Sequence, residues 1–379
     1  MTLWPYRPLV GLRETLEFRT DPLISRTGEQ RLALRSAPRQ VFDMKHILRT
    51  AQFSRAKPIM RANAHLPLDI PIWAEQVQMH GYVDSTADVL ELDTTAGDFR
   101  DRVLVWKDDQ TYVVADIAAI DDTSITLTVP LGLTMRHPVV TPVREGINLE
   151  GFNIRRNTTI DEISTRFVIH DDTVDLAAEY VSDYPQYQSK DVMTERTLMV
   201  TDINEQIIRV SEYVDNGFGK VTVEPVSEFA DFGQMIAFSD ARPSALWRRR
   251  VWLHSLRGKQ KTFWLPTFSD DLILMASFLA AATQISVKSI MSVNLYLNKH
   301  IMIQLNNGDR YFRQITTAVN DGDNDTLTLS SSLGVGVAPA DIDLFCFISL
   351  VRLNSDSVSM DHNFALETIT AVPVMEVPE

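Results

Sequence analysis

Residues 301–334 read IMIQLNNGDRYFRQITTAVNDGDNDTLTLSSSLG. Apolar side chains alternate at Ile301, Ile303 and Leu305, and the polar turn Asn306-Asn307-Gly308-Asp309 follows. A second strand runs from Tyr311 to Ile315, and Leu327 and Leu329 mark a third. Period-two alternation broken by Asn, Asp and Gly is the pattern of short antiparallel strands joined by hairpins. Almost two hundred residues earlier, residues 103–132 read VLVWKDDQTYVVADIAAIDDTSITLTVPLG. The order is the same: strand, Asp-rich turn, strand, Asp-rich turn, a Thr-Leu-Thr strand and a glycine stop.

With the two stretches aligned, Val103, Val105 and Ile117 fall on Ile301, Ile303 and Ile315, and Ile125, Leu127 and Gly132 fall on Leu327, Leu329 and Gly334. The match extends upstream, where Pro71 to Val77 resembles Pro266 to Leu272. It also extends downstream, where Ile147-Asn148-Leu149 and Ile154 match Val351-Arg352-Leu353 and Val358. An internal duplication is the reading. The expected fold is mainly β and multi-domain, with tandem duplicated domains of β-barrel or β-sandwich type and an extended, partly helical N-terminal arm. The expected divisions are a basic arm over 1–65, a first repeat domain over 66–170, a connecting β region over 171–261 and a second repeat domain over 262–379.

Two stretches outside the repeats need a separate reading. Phe42 to Phe53 places Met44, Ile47, Leu48 and Ala51 on one helical face and predicts a short helix. Leu246-Trp247-Arg248-Arg249-Arg250-Val251-Trp252-Leu253 sets three arginines between two tryptophans. On a strand its arginines divide between two faces, which argues for covering and pairing rather than for a nucleic-acid patch.

Charge is uneven. The net value is −14, yet residues 1–61 hold twelve Lys or Arg against five Asp or Glu, an excess of +7, which leaves −21 for the remainder. Such asymmetry predicts that the N-terminal segment docks on an acidic surface, with Trp4, Arg19, Arg31, Arg35 and Arg39 as its assembly contacts. Sequence-specific nucleic-acid binding is not expected from an acidic chain whose basic residues are scattered singly. The longest apolar run, Leu272 to Ala282, is too short to span a bilayer and reads as a buried strand or short helix. The opening residues carry no signal-peptide pattern, so folding in a cytoplasm is expected.

Chemistry finds little support. The eight histidines show no metal-protease spacing, and neither a nucleophile elbow nor a phosphate loop is present. The single cysteine, Cys346, lies between two phenylalanines and reads as a buried thiol. Asp321-Gly322-Asp323-Asn324-Asp325 sets carboxylates at alternate positions, as oxygen ligands for calcium require. It lacks the bidentate Glu further on and reads as a solvated turn. Neither a catalytic residue nor a cofactor or metal site is expected.

Several short stretches carry a resemblance. Trp4-Pro5, Glu17-Phe18-Arg19-Thr20-Asp21, Gly28-Glu29-Gln30-Arg31, Leu34-Arg35 and Pro38-Arg39 resemble the opening of tail proteins of long-tailed bacteriophages. Phe263-Trp264-Leu265-Pro266-Thr267-Phe268 followed by Asp270-Asp271 resembles a later segment of the same proteins. The resemblance, to the distal tail protein type, implies a structural virion protein of the tail tip or baseplate. It would assemble as a symmetric trimer or hexamer and link the tail tube to hub and receptor-binding proteins. The alternative is an adhesin-like module that binds cell-surface glycan through Trp106, Tyr184 and Tyr187.

Overall fold

The computed structural model describes residues 1–8, 11–25, 28–171, 175–178, 180–198, 205–208, 211–225, 231–290, 292–363 and 367–377. The chain is mainly β. Among the described residues two α-helices are present and no sheet closes into a barrel. Among the described residues, strands of three or more residues fall into two sets of twelve. The first set is β1 Leu12–Glu17, β2 Thr20–Ile24, β3 Glu29–Ala33, β4 Arg39–Arg49, β5 Leu68–Pro71, β6 Val89–Glu91, β7 Arg102–Trp106, β8 Tyr112–Asp121, β9 Ser124–Leu127, β10 Val139–Asn148, β11 Asn153–Arg156 and β12 Ile160–Ile169. Helix α1, Thr50–Ala62, lies between β4 and β5. The second set is β13 Glu205–Ile208, β14 Ser211–Val214, β15 Thr222–Pro225, β16 Asp231–Asp240, β17 Thr262–Pro266, β18 Gln284–Lys288, β19 His300–Leu305, β20 Arg310–Asn320, β21 Asn324–Leu329, β22 Ile342–Leu353, β23 Ser357–Asn363 and β24 Glu367–Glu376. Helix α2, Pro243–Leu256, lies between β16 and β17.

The pairings of the first set recur in the second. In the first half β1 pairs with β4, β4 with β12, β12 with β10 and β11, and β10 with β5 and β7. In the second half β13 pairs with β16, β16 with β24, β24 with β22 and β23, and β22 with β17 and β19. The small sheet β6-β9-β8-β7 of the first half has its counterpart in β18-β21-β20-β19. Hairpins β2–β3 and β14–β15 precede the long strands β4 and β16. Even an irregularity repeats: β8 shifts register between Ile117 and Ala119, and β20 between Ile315 and Thr317. A bulge of this kind bends a strand from one sheet towards another.

The register moves the downstream match by one residue. Val143 lies opposite Pro71 and Ile348 opposite Pro266, so Ile147 corresponds to Arg352, not to Val351. The same chain of pairings places Asn153 at the position of Ser359, and Ile154 at that of Met360 rather than Val358.

Both readings, the helix over 42–53 and the strand over 246–253, are corrected. Residues 39–49 form a strand, in which Phe42, Met44, His46 and Leu48 alternate inward, and the helix begins only at Thr50. Residues 246–253 lie inside α2, which starts with Pro243 in its first turn. Its buried residues include Leu246, Arg249, Arg250, Trp252 and Leu253, so no clean polar face advertises a helical period. The Leu272–Ala282 run is irregular; Leu272 N–H donates to the Phe345 carbonyl of β22, Leu274 forms an isolated bridge with Val287 of β18, and Phe278 forms one with Val337.

The first 65 residues do not project as an arm. β1 is flanked on both sides, by β4 and by β23, and β4 is flanked by β1 and β12. Pairing therefore crosses the divisions expected at 65 and 261, since β4 belongs with β12 and β16 with β24. Each half buries one core under its helix and another in its small sheet, and the second half buries a third around Trp264, Met302 and Cys346. Trp4, Phe42, Trp73 and Phe167 fill the first helical core, and Trp252, Phe263 and Val372 the second. Leu16 and Phe18 come from β1 and its end, yet they pack in the second half's core.

Candidate functional site

The feature that organises the molecule is the seam where β1 of the first half pairs with β23 of the second, from Leu12 opposite His362 to Glu17 opposite Ser357. Helix α2 packs beside it and sends Arg250 into the seam. Arg250 Nη2 donates to Glu14 Oε2 at 2.6 Å and Nη1 donates to Glu75 Oε1 at 2.8 Å. Both carboxylates belong to the first half and are buried with the guanidinium. The remaining acceptors are satisfied: Glu14 Oε1 accepts from Gln40 Nε2, and Glu75 Oε2 accepts from the Asp98 backbone N–H. His362 Nε2 lies 3.1 Å from Glu14 Oε2, and its Nδ1 lies 2.9 Å from the Thr368 hydroxyl.

Burial alone would raise the Glu14 carboxyl, but Arg250 and His362 outweigh it and hold the group down to about 2. Glu75 is raised, chiefly by burial, with Arg250 opposing. Removing one member of such a buried set leaves an uncompensated charge, at a typical cost of about 3–5 kcal/mol. The network therefore fixes how the halves meet.

Two further contacts cross the seam. Glu29, on hairpin β2–β3, forms an ion pair with Arg352 of β22: Arg352 Nε donates to Glu29 Oε2 at 3.2 Å, Nη2 lies 2.9 Å from Oε1, and both side chains are buried. Asp356 clamps the chain just before β23. Its carboxylate accepts from the backbone N–H groups of Thr20 and Lys259, and its carbonyl accepts from Phe18 N–H.

A cleft of about 580 Å³ lies over α2 and is lined by Tyr180, Tyr184, Glu195, Asp240, Arg249 and Trp252 among others. Arg249 pairs with Asp240 at 3.3 Å and with Glu195, donates to the Tyr184 hydroxyl at 3.0 Å, and lies 3.9 Å from the Phe238 ring centroid. Burial pushes the Tyr184 phenol up to about 12 although Arg249 opposes it. The cleft's polar groups are thus tied to one another. Elsewhere, burial pushes the Cys346 thiol up to about 12, which keeps it in the unreactive protonated form.

The expected contact residues part company. Trp4 is fully buried in its own chain's core, where its indole N–H donates to His46 Nε2 at 3.2 Å, so its side chain is closed to a partner in this fold. Arg31 and Arg35 are half-buried, and Arg35 donates to the Glu17 carbonyl at 3.1 Å. Arg19 and Arg39 are exposed, and Arg35 and Arg39 share one rim of a cleft of about 460 Å³. The aromatic side chains named for glycan binding are engaged internally. Trp106 donates to the Pro5 carbonyl, Tyr184 meets Arg249, and the Tyr187 hydroxyl meets His300 Nδ1 at 2.8 Å.

The acidic turn at 321–325 is only partly solvated. Asp325 is fully buried and accepts from the Tyr296 hydroxyl at 3.0 Å and Asn320 Nδ2 at 2.8 Å, while Asp321 accepts from the Thr326 hydroxyl. Sequence reasoning missed Glu14, Glu75 and Arg250, which lie far apart in the chain. The only available signal was a Glu in an apolar strand and an Arg between tryptophans. No protein-family model matches this chain, and no curated protein matches it either.

Proposed function

We propose that this chain is a structural protein of the tail tip or baseplate of a long-tailed bacteriophage. In this reading two copies of one β unit, fused by duplication, act as neighbouring building blocks of a symmetric assembly, a trimer or a hexamer of chains. Its partners are other copies of itself and the tube, hub and receptor-binding proteins. The observation that carries the reading is the seam: two halves with the same pairing scheme are joined edge to edge by β1–β23 and locked by Arg250 between Glu14 and Glu75. Like units joined by unlike surfaces form the repeating contact from which rings are made. The Phe263-Trp264-Leu265-Pro266 stretch, on which the phage resemblance partly rests, forms β17 and lies in the second half's core, as a framework segment would.

The test is location. An antibody raised against the purified chain and applied to phage particles from a host carrying this sequence should decorate the distal end of the tail. Particles that lack the protein altogether would sink the proposal. The glycan-binding alternative would use the cleft over α2, and its discriminating measurement is a glycan array, where the proposal expects no binding.

A further inference from the structure

The internal seam uses one edge of each half and leaves the complementary edge of each half open. β1 is paired on both sides because β23 of the other half covers it. Its counterpart β13 has β16 on one side and, among the described residues, no strand on the other. Similarly, β23 lies between β24 and β1, whereas its counterpart β11 has, among the described residues, β12 alone. An unpaired edge is a template for another strand. We propose that these two edges pair with one another between copies of this chain, β13 of one copy alongside β11 of the next, repeating the β1–β23 junction. This deepens the assembly reading above and rests on it for its occupant, a second copy.

The register follows from the fold. Thr15 lies opposite Ser359 across the seam. Gln206 holds the position of Thr15 and Asn153 that of Ser359, so Gln206 of one copy faces Asn153 of the next and Ile207 faces Phe152. The burial of these residues fits such a junction. Leu16 is 1% exposed because it crosses the seam into the other half's core, while Ile207, at its position in β13, is 74% exposed.

The hairpins give the same answer. β2–β3 reaches across the seam so that Glu29 meets Arg352 on β22. On the counterpart hairpin β14–β15, Tyr213 and Phe218 are 70% and 86% exposed. On β10, Ile147 holds the position of Arg352 and borders the 460 Å³ cleft, beside Leu149, Arg35 and Arg39. Charge is complementary as well. The hairpin carries Glu212 and Glu224, whereas β11 and α1 present Arg155, Lys57 and Arg61. Two different surfaces meet in this contact, so it is head to tail.

The test uses two full-length variants, each blocked on one edge. Ile207→Asp with Phe218→Asp blocks the β13 side, and Ile154→Asp with Leu149→Asp blocks the β11 side. Val319→Asp, on exposed β20, is the control. In size-exclusion chromatography with light scattering, the wild type and the control should run as oligomers. Each blocked variant should run as a monomer with unchanged circular dichroism and melting temperature. Mixing the two blocked variants should give a one-to-one dimer that grows no further, because each supplies the edge the other lacks. If a blocked variant fails to fold, Arg155→Glu on β11 alone should weaken the oligomer in a salt-dependent way. Blocked variants that still form the wild-type oligomer, or a mixture that stays monomeric, overturn the edge pairing while leaving the tail location standing. A wild type that stays monomeric at its highest soluble concentration overturns it too.

Discussion

His46 and His254 are buried histidines held neutral. Desolvation pushes His46 down to about 4, and desolvation together with the neighbouring Arg250 does the same to His254. His46 Nε2 accepts the Trp4 indole N–H, a role open only to the unprotonated nitrogen. A group whose folded pKa is depressed takes up its proton in the unfolded chain first. Its contribution is therefore complete above about 6.5 and is lost as pH falls towards about 4. Each histidine should cost on the order of 2 kcal/mol of stability between pH 7 and pH 4.5. The Glu14 contribution is lost only lower, as pH falls from 4.5 towards 2. Urea midpoints measured across this range should fall steeply for the wild type. His46→Gln should be less stable at pH 7 but should lose less on acidification, and a variant as acid-sensitive as the wild type would rule His46 out as a trigger. At this scale the sequence misled most at Trp4. An aromatic beside proline near a chain end looks like a free anchor, and only the tertiary fold shows Leu68, Ile70 and Phe167 closing around the same core.

At the scale of elements, strands were legible and helices were not. Alternation marks a half-buried strand directly, and so residues 301–305 and 103–105 were readable. Arg39–Arg49 also alternates, but Met44, Ile47, Leu48 and Ala51 happen to satisfy a helical spacing as well, and the longer period was chosen. α2 is buried on most of its circumference and so lacks the amphipathic signal altogether. Its end is where one residue type is compulsory. Arg257 closes the helix in the left-handed region at φ 52°, and Gly258 follows at φ 65°. A Cβ at Gly258 would lie 2.4 Å from Asp356 Oδ1 and 2.8 Å from Phe18 Cβ, the two groups that clamp the seam. Gly258→Ala should therefore lower stability by about 1–3 kcal/mol, through strained backbone and overpacking. Chemical denaturation reads the loss, and hydrogen exchange should show it concentrated at the amides of Phe18 and Thr20. Uniform loosening of all strands, or no loss, would contradict this account of the clamp.

For the molecule as a whole, the sequence showed the repeat only where matching strands kept matching residues, from Pro71 and Pro266 onwards. The correspondence of β1–β4 with β13–β16 was hidden because the two ends of the unit answer to different surroundings. Leu16 must fill the other half's core, while Ile207 is 74% exposed. The sharing of β1 has a thermodynamic consequence. The first half contributes a strand, two apolar side chains and both carboxylates of the Arg250 network to the second, so the second half's core is incomplete without the first, and the first half's buried Glu14 and Glu75 lose their counter-charge without the second. Unfolding the first half would strip β23 and leave Arg250 buried without a partner, which couples the two transitions. Calorimetry of a preparation held monomeric by a blocked edge should therefore show the cores under α1 and α2 melting together in one transition. A fragment ending at residue 171 should stay soluble and ordered only when the fragment from 180 onwards is supplied with it. Two separate transitions, or a first-half fragment that folds alone with native strand content, would mean that the seam joins two finished domains rather than completing them.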